Sequence, residues 1–126
     1  MDEQLRNQLE KLRLSLKKLE EILGRNPEED DIILDATIQR FEYTFENAWK
    51  TIKIFYKLQG LALNTPREAI KFAYKDNRIA DEDAYLNLLQ ARNLTSHTYS
   101  LEIAQSVYNT IKQNYKSLEH IYTAFS

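Results

Sequence analysis

The sequence has 126 residues, with 17 lysines and arginines against 19 aspartates and glutamates, a formal net charge of −2 and no cysteine. The length suits one hydrophobic core, so we expect a single domain over residues 1–126. The evenly spread charges argue against broad, non-specific nucleic-acid binding, although a small local site for RNA or phosphate is allowed. Without cysteine, disulfides and thiolate metal sites are excluded, and a cytoplasmic location is the simplest expectation.

The first predicted helix carries leucines at alternating steps of four and three residues, the spacing of a seam in a helical bundle. These residues are Leu5, Leu9, Leu12, Leu16, Leu19 and Leu23. The charges between them argue against a signal peptide and a membrane-spanning helix, so no contact with a membrane is expected. Gly24 is predicted to close the helix as a C-terminal cap.

The second predicted helix begins at Asn26-Pro27-Glu28-Glu29, with the asparagine as cap, the proline in the first turn and a glutamate reaching back. An apolar stripe with a period of about 3.6 residues follows, and it predicts a long helix that ends near Gly60. The stripe consists of Leu34, Ile38, Phe41, Phe45, Ala48, Trp49, Ile52, Phe55 and Tyr56. We interpret it as core rather than as a cofactor-binding surface.

Beside this stripe, Glu42, Glu46 and Lys50 follow one another at steps of four residues. The simpler interpretation is a solvated face with an ordinary ion pair between glutamate and lysine. The alternative is a patch that faces a protein partner.

Three further helices are predicted after Gly60, each with its own capping residue. Thr65 caps a short helix, which the polar residues 76–78 end and which contains Ile70, Phe72, Ala73 and Tyr74. Asp81 caps a fourth helix. Ser100 caps a fifth helix, whose stripe is Ala104, Val107, Tyr108, Ile111, Tyr115, Leu118, Ile121, Tyr122 and Phe125. Four to five helices with short connections predict an all-α, antiparallel up-and-down bundle.

Several kinds of chemistry are excluded by composition. Gly24 and Gly60 are the only glycines, which rules out a phosphate-binding loop and the Gly-Ser turn that nucleotidyltransferases use. His97 and His120 are the only histidines, so no zinc-binding pair of histidines on one helical turn exists. We therefore expect no metal and no cofactor, and we assign His120 no role.

The predicted end of the fourth helix is unusually polar, with Arg92, Asn93, His97 and Tyr99 close together. If the helix continues that far, Arg92 and His97 project from nearby parts of its surface and could reach one phosphate. This would suit metal-free RNA cleavage, in which histidine moves a proton near neutral pH and arginine clamps the phosphate. Because one histidine cannot easily be both acid and base, a two-fold homodimer would be an attractive arrangement. From the spacing alone, the simpler interpretation is that both cations cap the helix end.

Arg92-Asn93 followed by His97-Thr98-Tyr99 resembles the Arg-x4-His-x-Tyr signature of the HEPN superfamily, the higher-eukaryote and prokaryote nucleotide-binding helical domains. Residues 35–50 also resemble the second helix of the nucleotidyltransferase substrate-binding protein family, a branch of HEPN. Residues 66–71 follow in the same order, so the resemblance extends over nearly the whole chain.

The resemblance implies a HEPN-like homodimer whose partner is a cognate minimal nucleotidyltransferase; the chain is not itself one. It further implies the toxin of a toxin-antitoxin pair, an endoribonuclease with Arg92 and His97 as the catalytic pair. Arg92 and Asn93 would bind RNA phosphate or ribose, and the partner would silence the toxin by adenylylating Tyr99. The alternative is a non-catalytic subunit that helps the transferase to present its substrate.

Overall fold

The computed structural model describes residues 1–126 and contains five α-helices and no β-strand. The helices are α1 (Glu3–Leu23), α2 (Asp31–Lys57), α3 (Pro66–Lys75), α4 (Glu82–Leu94) and α5 (Leu101–Phe125). α2 packs between α1 and α5, α4 packs on α5, and α3 contacts α2 and α4. The all-α bundle predicted from the sequence is therefore confirmed. None of the helices has both the length and the hydropathy needed to cross a lipid bilayer.

Every helix begins after a residue whose side-chain oxygen accepts a hydrogen bond from a backbone N–H of the first turn. The predicted caps Thr65, Asp81 and Ser100 are confirmed. The predicted start at Asn26 is wrong. Asn26 accepts the N–H of Glu28 at 3.0 Å within a separate turn, and Asp30 caps α2 by accepting the N–H of Ile32 at 3.0 Å.

The two glycines lie close to helix ends, as predicted, but in different conformations. Gly60 has a φ of 87°, in the left-handed region that favours glycine, and it follows the last residues of α2. Gly24 directly follows α1 with a φ of −76°. Since it remains right-handed, its N–H still reaches the carbonyl of Glu20 at 3.2 Å, and the left-handed cap geometry is not used.

The core is one cluster of 27 buried residues that includes side chains from all five helices. The apolar stripes predicted for α1, α2 and α5 contribute most of it, and in α3 Ile70 and Ala73 are buried whereas Tyr74 is 44% exposed. The stripes missed Thr37, Thr44 and Thr51, which are fully buried at steps of seven residues along α2. Each threonine hydroxyl donates to the carbonyl four residues earlier, at 2.7, 2.7 and 2.8 Å, so no hydroxyl of this row is left unpaired.

Three tyrosine hydroxyls connect the helices. Tyr56 donates to Asp76 Oδ2 at 2.7 Å, and two others donate to backbone carbonyls on neighbouring helices, Tyr85 at 2.7 Å and Tyr115 at 3.2 Å. Burial is the main reason that the pKa of each lies well above its ordinary value. A nearby carboxylate adds to the shift, since it further disfavours the phenolate.

We expect these tyrosines to make the bundle sensitive to alkali. The pKa of each hydroxyl is higher in the folded chain than in the unfolded one. Below about pH 10 the hydroxyls are protonated in both states and leave the free energy of unfolding unchanged. Above that pH the free energy of unfolding should fall, because these phenolates form more readily in the unfolded chain. The thermal midpoint measured by circular dichroism against pH checks this. Tyr56→Phe should flatten the alkaline decline, and Tyr43→Phe, at a tyrosine that is 62% exposed, should not. Equal declines in both variants would contradict the assignment to Tyr56.

Candidate functional site

The polar segment after α4 does not continue as an α-helix. α4 ends at Leu94, and Thr95–His97 form a single 3₁₀ turn. The hydroxyl of Thr95 donates to the carbonyl of Arg92 at 2.7 Å, and the hydroxyl of Thr98 donates to the carbonyl of Thr95 at 3.0 Å. Because these hydroxyls bond to carbonyls at the helix end, they favour the tighter 3₁₀ turn over a further turn of α-helix. The unbroken helix that would have placed Arg92 and His97 on one surface is therefore absent.

The guanidinium of Arg92 is held by α2. Its Nη2 donates to Glu46 Oε2 at 3.1 Å, and the other oxygen of that carboxylate accepts from Trp49 Nε1 at 3.1 Å. Nη1 lies 3.5 Å from Asn93 Oδ1. The Arg92 side chain is still 38% exposed, so Glu46 orients the guanidinium while leaving N–H groups for a ligand.

The sequence placed Glu46 with Glu42 and Lys50 in a solvated face or a partner-facing patch, and it did not predict that Glu46 would orient Arg92. The predicted ion pair between Glu46 and Lys50 does not form, because the carboxylate instead faces Arg92 on α4. Glu42 and Lys50 are exposed, as expected for a solvated face. The spacing of residues along α2 could not reveal a contact with a residue on another helix. Trp49 was rightly placed in the core, but nothing in the sequence indicated that its indole N–H would donate to Glu46.

His97 and Tyr99 form the second half of the site. Their ring centroids lie 6.4 Å apart with the planes at 70°, an edge-on arrangement. His97 is exposed, and Tyr99 is 88% exposed, more than any other large apolar or aromatic side chain of the chain. No hydrogen bond joins this pair to Arg92 or Asn93. The structure thus brings Arg92 together with Asn93, and His97 with Tyr99, as two exposed pairs in consecutive turns.

A second group of polar side chains lies between α1 and α5, in an open depression of about 550 Å³ whose lining includes Arg13, Glu20, Lys116 and His120. His120 is exposed on α5, the polar position predicted for it. No three histidines, aspartates or glutamates lie close enough together to hold a metal ion. We retain Arg92, Asn93, His97 and Tyr99 as the candidate site because they match the signature found in the sequence, with Glu46 and Trp49 behind Arg92.

The Arg92–Glu46 pair should contribute little to stability. Both side chains are more than one third exposed, and such pairs contribute about 0.2–1 kcal/mol. We expect a double-mutant cycle of Arg92→Ala and Glu46→Ala, measured by urea unfolding, to give a coupling free energy in that range. The matched cycle of Arg92→Ala with Glu42→Ala, one turn earlier on α2, should give none. Equal coupling in the two cycles would mean that the pair does not form in solution.

Comparison with known proteins identifies several similar chains. Residues 7–126 match the family model described as nucleotidyltransferase substrate binding protein like. The chain is 34% identical over 92 residues to a probable ribonuclease HepT of Haemophilus influenzae, a match that covers 64% of this chain and 59% of that protein. The chain thus spans less than two thirds of that relative.

Solved structures have the same architecture. A crystal structure of a protein from Thermus thermophilus superposes with a TM-score of 0.80 at 28% identity, covering 87% of this chain and 94% of that one. A tri-AMPylated HEPN toxin of Shewanella oneidensis, in complex with its MNT antitoxin, superposes with a TM-score of 0.75 at 17% identity, covering 98% and 97%. At that identity the second likeness establishes the fold alone.

Proposed function

The chain belongs to the nucleotidyltransferase substrate-binding-like family, a branch of the HEPN superfamily, and from this we propose that it is the toxin of a toxin-antitoxin pair. In this proposal it is a metal-independent endoribonuclease, and a minimal nucleotidyltransferase silences it by adenylylating Tyr99. The observation that carries the proposal is the pair of exposed rings, His97 beside Tyr99, directly after the anchored guanidinium of Arg92. The ribonuclease relative and the AMPylated structural neighbour point the same way.

The cleavage step uses the chain's own side chains. A base takes the proton of a ribose 2′-hydroxyl, the 2′-oxygen attacks the adjacent phosphorus, and the bond to the 5′-oxygen breaks as an acid protonates that oxygen. His97 exchanges the proton, since an imidazole has one nitrogen that can accept a proton and another that can donate one. Arg92, oriented by Glu46, donates to the phosphate oxygens where negative charge accumulates, and Asn93 orients a phosphate or ribose oxygen.

A homodimer completes the acid and base pair. His97 is the only histidine near Arg92, and His120 lies on α5 away from the polar end of α4. Two copies related by a two-fold axis would supply two His97 side chains to one cleft.

We further propose that residues 1–126 form one domain, because the core cluster takes side chains from all five helices. The scheme also implies a cytoplasmic location, because its two substrates are RNA and ATP.

Silencing acts on Tyr99. Its hydroxyl attacks the α-phosphorus of ATP in the partner's active site, pyrophosphate leaves, and the phenol proton passes to a base of the partner. The 88% exposure of Tyr99 suits entry into another protein's catalytic cleft. An adenylyl group there would place a bulky anion beside His97 and repel RNA phosphate.

The second candidate is a non-catalytic subunit that docks a nucleotidyltransferase and helps to present its substrate. One observation favours it: Glu46 already neutralises Arg92, so a phosphate must compete with a carboxylate for the guanidinium. In this case the chain would leave RNA intact and still bind the transferase.

One experiment separates the two. The protein is expressed with and without its proposed partner, a cognate minimal nucleotidyltransferase, its intact mass is measured, and each preparation is incubated with total RNA in the presence of a chelator. A gain of one or more adenylyl units, with cleavage only by the unmodified form, supports the toxin. Unchanged mass and intact RNA would leave the binding subunit.

A further inference from the structure

A groove of about 730 Å³ lies next to Tyr99, between the segment that leads into α2 and the first turns of α5. Its charged lining residues are all acidic, namely Glu28, Asp31 and Asp35, and no lysine, arginine or histidine lines it. The lining therefore gives the groove a local negative potential, although the ammonium of Lys112 lies 5.8 Å from the ring centroid of Tyr108, which also lines the groove.

A second depression, of about 470 Å³, continues this surface along α2. Thr98 and Asp35 line both depressions, and the second adds Glu42, again without a basic residue. We call the combined surface the acidic groove, defined by Glu28, Asp31, Asp35, Glu42, Thr98 and Tyr99. Its continuity past Thr98 means that a ligand bound along it would pass directly beside the proposed site of modification.

Large apolar side chains accompany the carboxylates. Ile32 is 69% exposed in the second depression and Leu101 is 65% exposed in the first, and the ring of Tyr99 is 88% exposed. Apolar groups interleaved with charges of one sign are typical of a surface that another protein covers. RNA fits less well, because its phosphates would face the carboxylates of the groove.

Tyr108 provides an independent indication that something binds here. It lines the groove, it is 8% exposed, and its hydroxyl is the only buried side-chain polar atom of the chain without a hydrogen-bond partner. Buried polar groups are almost always paired, since an unpaired one costs free energy. Since the hydroxyl is buried beneath the groove surface, it would gain a partner only if a lining side chain shifted on binding and admitted a polar group of the ligand.

We propose that the acidic groove is the docking surface for a basic segment of a partner protein, which presents an arginine or lysine between apolar residues. The inference rests on the proposed function, in which that partner is the nucleotidyltransferase that modifies Tyr99. Carboxylates pair with the cation, Ile32 and Leu101 cover apolar neighbours, and Tyr108 bonds to a polar group of the segment. Docking beside Tyr99 brings the partner's active site to the exposed phenol.

The test measures the affinity of the chain for its proposed partner, the cognate minimal nucleotidyltransferase, by titration calorimetry at low and high NaCl. Asp31→Asn/Asp35→Asn should weaken binding about tenfold at low salt and flatten its salt dependence. The matched control is Asp83→Asn/Glu21→Gln, which also removes one first-turn aspartate and one exposed helical acid, outside the groove. It should bind like the unaltered chain.

Tyr108→Phe gives a second readout that cannot fail through misfolding, because it removes a hydroxyl with no partner in the chain. We expect unchanged or higher thermal stability and about fivefold weaker binding of the transferase. Binding of the unaltered chain together with unchanged affinity in both groove variants would overturn the inference and leave the proposed function standing. No binding by the unaltered chain would overturn both. The inference would also be overturned if the groove variants kept their affinity for the transferase but lost a homodimer or bound RNA more tightly. The groove would then be assigned to a second copy of the chain or to RNA.

Discussion

Replacing His97 by alanine should lower the rate of RNA cleavage by roughly 10²- to 10⁴-fold, the usual contribution of a group that transfers a proton in the transition state. The proposed mechanism has no substitute for this imidazole, since the only other histidine of the chain is on the far part of α5. Stability should be unaffected, because His97 is exposed and its side chain makes no hydrogen bond. Cleavage of total RNA with chelator present, alongside a urea unfolding curve, measures both.

His120→Ala is the matched control, because it removes the other exposed histidine and should leave cleavage unchanged. Cleavage retained by His97→Ala would refute the catalytic role. Co-purification with the transferase distinguishes the second candidate function. A pure binding subunit should keep its partner when His97 is lost, and disruption of the complex by this one change in a folded protein would count against that candidate.

The fold was largely predictable because its determinants are local in sequence. Thr65, Asp81 and Ser100 each bond to a backbone N–H three residues further on, so their role is visible in a short window. The wrong helix start at Asn26 has the same cause, because it too was inferred from a short stretch of sequence. Asn26 and Asp30 both had suitable side chains, and a local pattern does not decide which of two nearby caps starts the helix.

The site was predictable only in part. The residues around the end of α4 were identified from their types and from the resemblance, and they do lie in one surface segment, where Arg92 is half-buried and the other three are exposed. What the sequence could not supply were contacts between helices. Arg92 bonds to Glu46 on α2, and Tyr108 is left unpaired by the packing around it, so both facts depend on three-dimensional positions that no periodicity encodes.

Replacing Tyr99 by phenylalanine should abolish adenylylation altogether, since phenylalanine lacks the oxygen that attacks the α-phosphorus. The intact mass after co-expression with the transferase should then equal the mass after expression alone. Tyr43→Phe is the matched control, because Tyr43 is the next most exposed tyrosine at 62% and should leave the modification unchanged.

The same variant separates modification from docking. If adenylylation is what silences the toxin, Tyr99→Phe should still cleave RNA and inhibit growth in the presence of the transferase, while binding it through the acidic groove. Relief of toxicity by the transferase despite the missing hydroxyl would mean that docking alone blocks the site. That outcome is physically reasonable, because Thr98 and Tyr99 line the groove next to His97, and a protein seated there would cover the imidazole. Growth and intact mass measured together on Tyr99→Phe and on Asp31→Asn/Asp35→Asn therefore decide whether silencing is chemical or steric.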